Sequence, residues 1–312
     1  MADVLLVPLD GSPLAERALP LAEALARATG RRLHLLRVSL VRQPPEPATG
    51  EAEICAAEEA YLARIAQELH RRGLHCQTEL RFADAATGIV ACALDAGADL
   101  LVMATHGRGG LGRWVYGSVA EAVLRQTPVP LLLVRAWRTS SLLTSIEAHP
   151  RLLVPLDGSR TAEAALPVAG RLARQLAGEL LLVRAVPTPA AGDALGWALA
   201  PELEVAAATL TRDALDYLAR TAERLRQTGV AVQCVARHGG PATVIEALGQ
   251  ERAAALVVMA THGRTGLRRL ALGSVADAVL RQQDRPLLLV RPESRPTGDL
   301  AGAVAGRAQP VA

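Results

Sequence analysis

The 312-residue sequence predicts an α/β protein: two tandem doubly wound domains, each a five-stranded parallel sheet of order 3-2-1-4-5 with helices on both faces. Three observations carry the prediction. One set of segments occurs twice in the same order, which divides the chain into two copies of one unit. Within each copy, short apolar runs alternate with stretches of helical periodicity, the pattern of parallel strands joined by right-handed crossover helices. Half of the residues are apolar and only 2% are aromatic, so both cores must be mostly Leu, Val and Ala, as strands buried on two faces require.

The duplication is literal in places. Leu5 to Ser12 recurs as Leu152 to Ser159, an offset of 147, while Val102 to Arg108 recurs as Val258 to Arg264 and Pro130 to Arg135 as Pro286 to Arg291, both at 156. The offsets differ by nine residues, and the stretch from Pro187 to Pro201, rich in Pro, Ala and Gly, is where a loop would take them. In copy one, Val4–Leu9 is a buried strand closed by an Asp-Gly-Ser turn. Pro13–Ala28 has helical spacing (Leu14, Ala18, Leu21, Leu25) and stops at Gly30. Arg32–Val38 is strand two, Glu53–Arg72 a helix ended by Gly73, Leu74–Arg81 strand three, and Ala86–Ala96 a helix. Asp99–Ala104 is strand four, Thr105–Tyr116 a glycine-bearing loop, Ser118–Gln126 a helix and Pro130–Arg135 strand five. Copy two repeats the order from Arg151 to Arg291. The expected domains are 1–136 and 150–292, with a linker at 137–149 and a flexible tail at 293–312.

Charge and cysteine content narrow the class. The net charge is +3, with all 34 basic residues arginine and spread along the chain. No basic stripe and no interleaving of Arg with aromatics is present, which argues against nucleic acid as a partner. Cys55, Cys76, Cys92 and Cys234 form no CxxC pair and no disulfide framework, and read as small core fillers. The opening Met1-Ala-Asp-Val has no export pattern, and no apolar run approaches the ~20 residues of a membrane helix. A reduced cytoplasm, with no membrane partner, is the expected compartment.

In an open α/β sheet, ligands sit beyond the carboxyl ends of the strands, where the strand order reverses. Asp10 and Asp157 end strand one of their copies, and the glycine loops begin at the end of strand four. With strands one and four adjacent, both motifs face one crevice. The loops run from Gly107 to Val119 and from Gly263 to Val275. Glycine lets backbone N–H groups approach an anion, and Gly117-Ser118 and Gly273-Ser274 stand just before a helix, where a Ser can cap and free N–H groups can hold phosphate. A Walker A loop is excluded, because the sequence has no lysine. Phosphate charge would fall to backbone N–H groups, Ser118, Ser274, Arg108, Arg264 or a metal ion.

These paired motifs resemble the universal stress protein family, whose hallmark is a strand ending in Asp-x-Ser followed by a Gly-x2-Gly-x9-Gly-[Ser/Thr] loop. Val7 to Ser12, Thr105 to Arg108 and Gly117 to Val119 carry the resemblance in copy one; Val154 to Ser159, Thr261 to Arg264 and Gly273 to Val275 carry it in copy two. One departure is that the first glycine of the loop is Ala104 in one copy and Ala260 in the other. The resemblance implies a stress-response protein that binds ATP or another adenine nucleotide, with Mg²⁺ as an optional companion. It implies that Asp10 and Asp157 bond the nucleoside or help hold a metal, and that Val38 and Ala185 lie beside adenine. It also implies that the backbone at Ala104 and Ala260 touches ribose. Gly107, Gly117, Ser118 and Val119 would cradle phosphates, as would Gly263, Gly273, Ser274 and Val275.

No nucleophile with a helping carboxylate stands beside His106 or His262, so no catalytic residue is assigned and at most slow ATP hydrolysis is expected, in a sensor or carrier. The alternative is a protein-interaction scaffold of the same fold without nucleotide. The apolar fifth strands would be sheet edges that need a cover, so the two copies are expected to pair through them as an intrachain pseudo-dimer, alone or within a homo-oligomer.

Overall fold

The computed structural model describes residues 4–39, 41, 50–105, 117–135, 149–188, 200–262, 272–282 and 285–292, without the side chains of 200–203. The expected tail and all but the last residue of the expected linker lie outside them. The first half runs β1 (Val4–Pro8), α1 (Pro13–Glu16), α2 (Leu19–Thr29), β2 (Arg32–Ser39), α3 (Gly50–Arg71), β3 (Cys76–Phe82), α4 (Ala85–Asp95), β4 (Ala98–Thr105), α5 (Ser118–Gln126) and β5 (Leu131–Arg135). The second runs β6 (Arg151–Pro155), α6 (Arg160–Glu163), α7 (Leu166–Gln175), β7 (Glu179–Val186), α8 (Ala200–Arg226), β8 (Ala231–His238), α9 (Pro241–Glu251), β9 (Leu256–Ala260), α10 (Ser274–Gln282) and β10 (Leu287–Val290).

The predicted strand order holds in each half, and the two sheets are one: β3-β2-β1-β4-β5-β10-β9-β6-β7-β8. Strands within a half are parallel, whereas β5 and β10 meet antiparallel, pairing Leu133 with Leu287, Leu132 with Leu288 and Leu131 with Leu289. All six leucines are 3% exposed or less, so the join is as dry as the interior of either half. Alternate side chains build two cores. Leu5, Val7, Leu35 and Val102 pack under α2 and α3, while Leu6, Leu36, Leu101 and Met103 pack under α4 and α5; both layers continue unbroken into the second half.

Two arginines stitch the join reciprocally. Arg135, at the end of β5, donates to the Leu280 carbonyl in the last turn of α10. Arg291, just beyond β10, donates to the Arg125 carbonyl at the end of α5 at 2.8 Å. A cation beside the last carbonyls of a helix satisfies acceptors that have no intrahelical donor and meets the negative end of the dipole.

Two sequence expectations are corrected. The single helix expected at Pro13–Ala28 is two, α1 and α2, offset at Arg17 and Ala18. Pro20 has no N–H to give the Glu16 carbonyl and its ring would crowd it, so the chain tightens instead, with Arg17 N–H bonding Leu14 O and Ala18 N–H bonding Ala15 O, both at 3.1 Å. Pro167 divides α6 from α7 in the same way. Helix α8, with 27 residues against 22 in α3, begins at Ala200, so the end of the Pro187–Pro201 stretch is helical where a loop was expected.

Candidate functional site

Each half opens a crevice where the strand order reverses, between the carboxyl ends of β1 and β4 or of β6 and β9. The first has a volume of about 230 Å³. Leu9 and Asp10 wall it after β1, Val38 on β2, Met103 and Ala104 on β4, Ala85 and Ile89 on α4, and Gly117, Ser118 and Val119 at the start of α5. The second, of about 210 Å³, has Leu156, Asp157, Ala185, Pro241, Ile245, Met259, Ala260, Gly273, Ser274 and Val275 in the corresponding places, with Val183, Thr261 and His262 in addition.

The turn after the first strand of each half aims the aspartate. Gly11 and Gly158 have φ of +80° and +87°, a backbone that side-chain-bearing residues rarely adopt. That bend brings the Ser12 N–H to Asp10 Oδ1 at 2.9 Å, and the Ser159 N–H to Asp157 Oδ1 at the same distance. The two serines then cap α1 and α6, accepting from the N–H of Ala15 and of Ala162 at 3.1 Å. Asp10 is exposed and Asp157 half-buried, both at the crevice rim.

The opposite wall is a helix start. Serine was expected to cap α5, but Gly117 occupies the cap, with φ −52° and ψ 137°, and Ser118 is the first helical residue. A glycine cap supplies no side-chain acceptor, so among the described residues no cap side chain covers the first N–H groups and the positive dipole end of α5. In the second half, Gly273 N–H donates to the Thr261 carbonyl at 2.7 Å, which ties the end of β9 to the start of α10. The Thr261 hydroxyl and His262 Nδ1 lie 3.1 Å apart at this rim. Each crevice thus sets a carboxylate and a helix N-terminus on either side of an apolar floor.

Within the described residues, the structure brings together Asp10, Val38, Ala104, Gly117, Ser118 and Val119, and likewise Asp157, Ala185, Ala260, Gly273, Ser274 and Val275. Gly107, Arg108, Gly263 and Arg264, and also His106, lie outside the described residues. Beyond Val38 and Ala185, sequence reasoning missed the apolar walls. Ile89 and Ile245 stand at the repeat offset of 156 in the helix after the third strand, a signal that was visible but indistinguishable from ordinary core.

A family model described as the universal stress protein family matches residues 1–135 and again 149–291. The chain belongs to that family. Over 272 residues it is 26% identical to a universal stress protein of Mycobacterium tuberculosis strain H37Rv, covering 83% of this chain and 86% of the relative. It is 35% identical over 143 residues to a universal stress protein of Thermus aquaticus, 43% of this chain and 100% of that one. A crystal structure of a universal stress protein from Archaeoglobus fulgidus DSM 4304 covers 94% of this chain and 99% of its own, with a TM-score of 0.69 at 20% identity, a likeness of fold. In this universal stress protein, no helix among the described residues is long and apolar enough to cross a membrane.

Proposed function

We propose that this tandem universal stress protein binds one adenine nucleotide, ATP or a relative, in each crevice, and serves in the stress response as a sensor or carrier. The observation that supports the reading most directly is the convergence, twice, of a strand-end aspartate and a glycine-capped helix start on one apolar crevice at the switch point. The fit is chemical. An apolar floor of Val38, Met103 and Ile89 suits a base, the Asp10 carboxylate suits sugar hydroxyls, and the first N–H groups of α5 suit phosphate. Mg²⁺ would arrive with the phosphates and find Asp10 or Asp157 as its carboxylate partner. Arg108 and Arg264, with Gly107 and Gly263, would complete the phosphate cradle. The β5–β10 ladder would make the two lobes an intrachain pseudo-dimer, whether or not whole chains pair further. A reduced cytoplasm is the compartment we assign.

Calorimetric titration of the purified protein with ATP and Mg²⁺ tests this reading. Binding is expected, and its absence would defeat the proposal. Gly117→Val and Gly273→Val sharpen the test, because φ −52° and ψ 137° at Gly117 are open to any residue, so the added side chain obstructs a ligand without straining the turn. A second reading, a scaffold without nucleotide, draws on Ala104 and Ala260, whose methyl groups stand where the family hallmark has glycine. It predicts that these two valine substitutions leave partner binding unchanged.

A further inference from the structure

Below the first crevice, three ligand-type side chains close on one another. His34 Nε2 on β2 lies 2.9 Å from Glu79 Oε2 on β3. Cys92 Sγ on α4 lies 3.4 Å from the same oxygen and 3.8 Å from His34 Nε2. The register explains the meeting: Leu36 pairs with Glu79, so His34 and Glu79 are diagonal neighbours on one face, and α4 lowers Cys92 onto them. Among the described residues this is the one group of three or more such side chains with donor atoms all within 4.8 Å. His34 is 8% exposed, Cys92 0%, and Glu79 half-buried.

The second half supplies an internal comparison. At the matching repeat offsets the same three positions are Leu181, Val235 and Leu248, all hydrocarbon in the same core layer. The fold therefore has no need of polar groups there, and burying imidazole, carboxylate and thiol costs more than burying hydrocarbon. The surrounding ion pair is kept in both halves: Arg81–Asp95 at 2.8 Å and Arg237–Glu251 at 2.6 Å. The triad is not kept.

We propose that His34, Glu79 and Cys92 form a three-ligand site for a borderline-soft divalent cation of the zinc class, with water as the fourth ligand. Tetrahedral coordination at about 2.0–2.1 Å to N and O and about 2.3 Å to S separates donor atoms by roughly 3.3–3.6 Å. The observed separations of 2.9, 3.4 and 3.8 Å straddle that range. A mixed N, O and S set favours zinc-like ions over Mg²⁺ or Ca²⁺. Thiolate and carboxylate together neutralise the dication. Arg81 Nε donates to the other carboxylate oxygen, Oε1, and so orients the ligating carboxylate from outside, with Asp95 offsetting the guanidinium charge. Binding replaces the S–H bond of Cys92 by an S–metal bond and releases that proton to solvent. Without metal, burial and then the Glu79 carboxylate push the Cys92 thiol up to about 12. Half-buried Glu79 leaves the ion and its water a way in.

The test uses the full chain stripped by chelator, then titrated with Zn²⁺ against a chromophoric competitor and with Co²⁺ by absorption. One tight equivalent per chain is expected, and Co²⁺ should give a thiolate-to-metal charge-transfer band with the visible bands of tetrahedral coordination. A triple variant takes the second half's own residues, His34→Leu, Glu79→Val and Cys92→Leu, with circular dichroism to verify folding. It should lose both cobalt signatures and weaken Zn²⁺ binding by at least about 100-fold, beyond the range typical of outer-shell changes. Cys92→Ser, a milder change, should lose the charge-transfer band even if the triple variant does not fold. No binding by the wild type, equal binding by the triple variant, or a band that persists in Cys92→Ser would each overturn the proposal.

Discussion

At the residue scale, Asp10 and Asp157 each commit one carboxylate oxygen to the turn that holds them. If the other face of the carboxylate receives a nucleoside hydroxyl, Asp10→Ala together with Asp157→Ala should weaken ATP binding about 10-fold or somewhat more per site, the worth of a hydrogen bond to a charged group, as read by calorimetry. Unchanged affinity would confine these residues to the turn. Their position was legible in the sequence because Asp-Gly-Ser recurs letter for letter. The neighbouring walls were not, since Ile89 or Met103 has the same composition whether it lines a crevice or fills a core. Cys92 was read as filler for a similar reason: a lone cysteine in a helix does not reveal which residues of two distant strands will meet it. Its raised value has a consequence for stability. A group whose folded value lies above its unfolded one contributes stability that is full below the unfolded value and lost as pH rises toward the folded value. With an ordinary value of 9.0 and a folded one of about 12, the metal-free protein should lose stability across that alkaline window, followed by denaturant midpoints. Burial acts on Cys76 in the same direction, to about 11. In Cys92→Ala the alkaline slope should be shallower; an identical slope would show that this thiol does not contribute.

At the element scale, the short helices α1 and α6 are held by a capping serine at one end and interrupted by the approach of a proline at the other. Four residues cannot sustain a helix alone, so the cap matters more here than in α3 or α8. Ser12→Ala and Ser159→Ala should each destabilise the protein by about 1 kcal/mol, measured by urea denaturation, and should do so additively because they lie in different halves. A cost near zero would mean that packing alone holds these turns. The central strands were the most legible elements, β1, β5, β6, β9 and β10 being short runs rich in Leu and Val, whereas β3 and β8 carry more polar residues. The break before Pro20 was less so: Leu14, Ala18, Leu21 and Leu25 keep helical spacing straight through it, and periodicity reports which face is apolar, not whether the backbone is continuous. Helix α8 starts at Ala200, so only its first two residues fall in the Pro187–Pro201 stretch that the sequence marks as a loop.

For the whole molecule, the decisive link is the β5–β10 ladder, which turns two five-stranded sheets into one and merges their cores. Calorimetric unfolding should therefore show one transition for both halves, with the calorimetric and van't Hoff enthalpies in agreement. Two separated transitions would mean that each half melts by itself and that the six leucines couple them weakly. The order of strands within each half was legible from the alternation of elements and the placement of the two motifs. The relation between the halves rested in the sequence on a single physical point, that Pro130–Arg135 and Pro286–Arg291 are too apolar to be left as open edges.

The crossed arginines give that union a further consequence. The arginine that meets the end of the closing helix of one repeat is encoded in the other, so each repeat lends its neighbour a cation. A gene cut between them would yield two products in which water takes the place of the arginine at those carbonyls. The halves share one sheet and yet diverge in what they hold, as the triad of one and the hydrocarbon of the other illustrate.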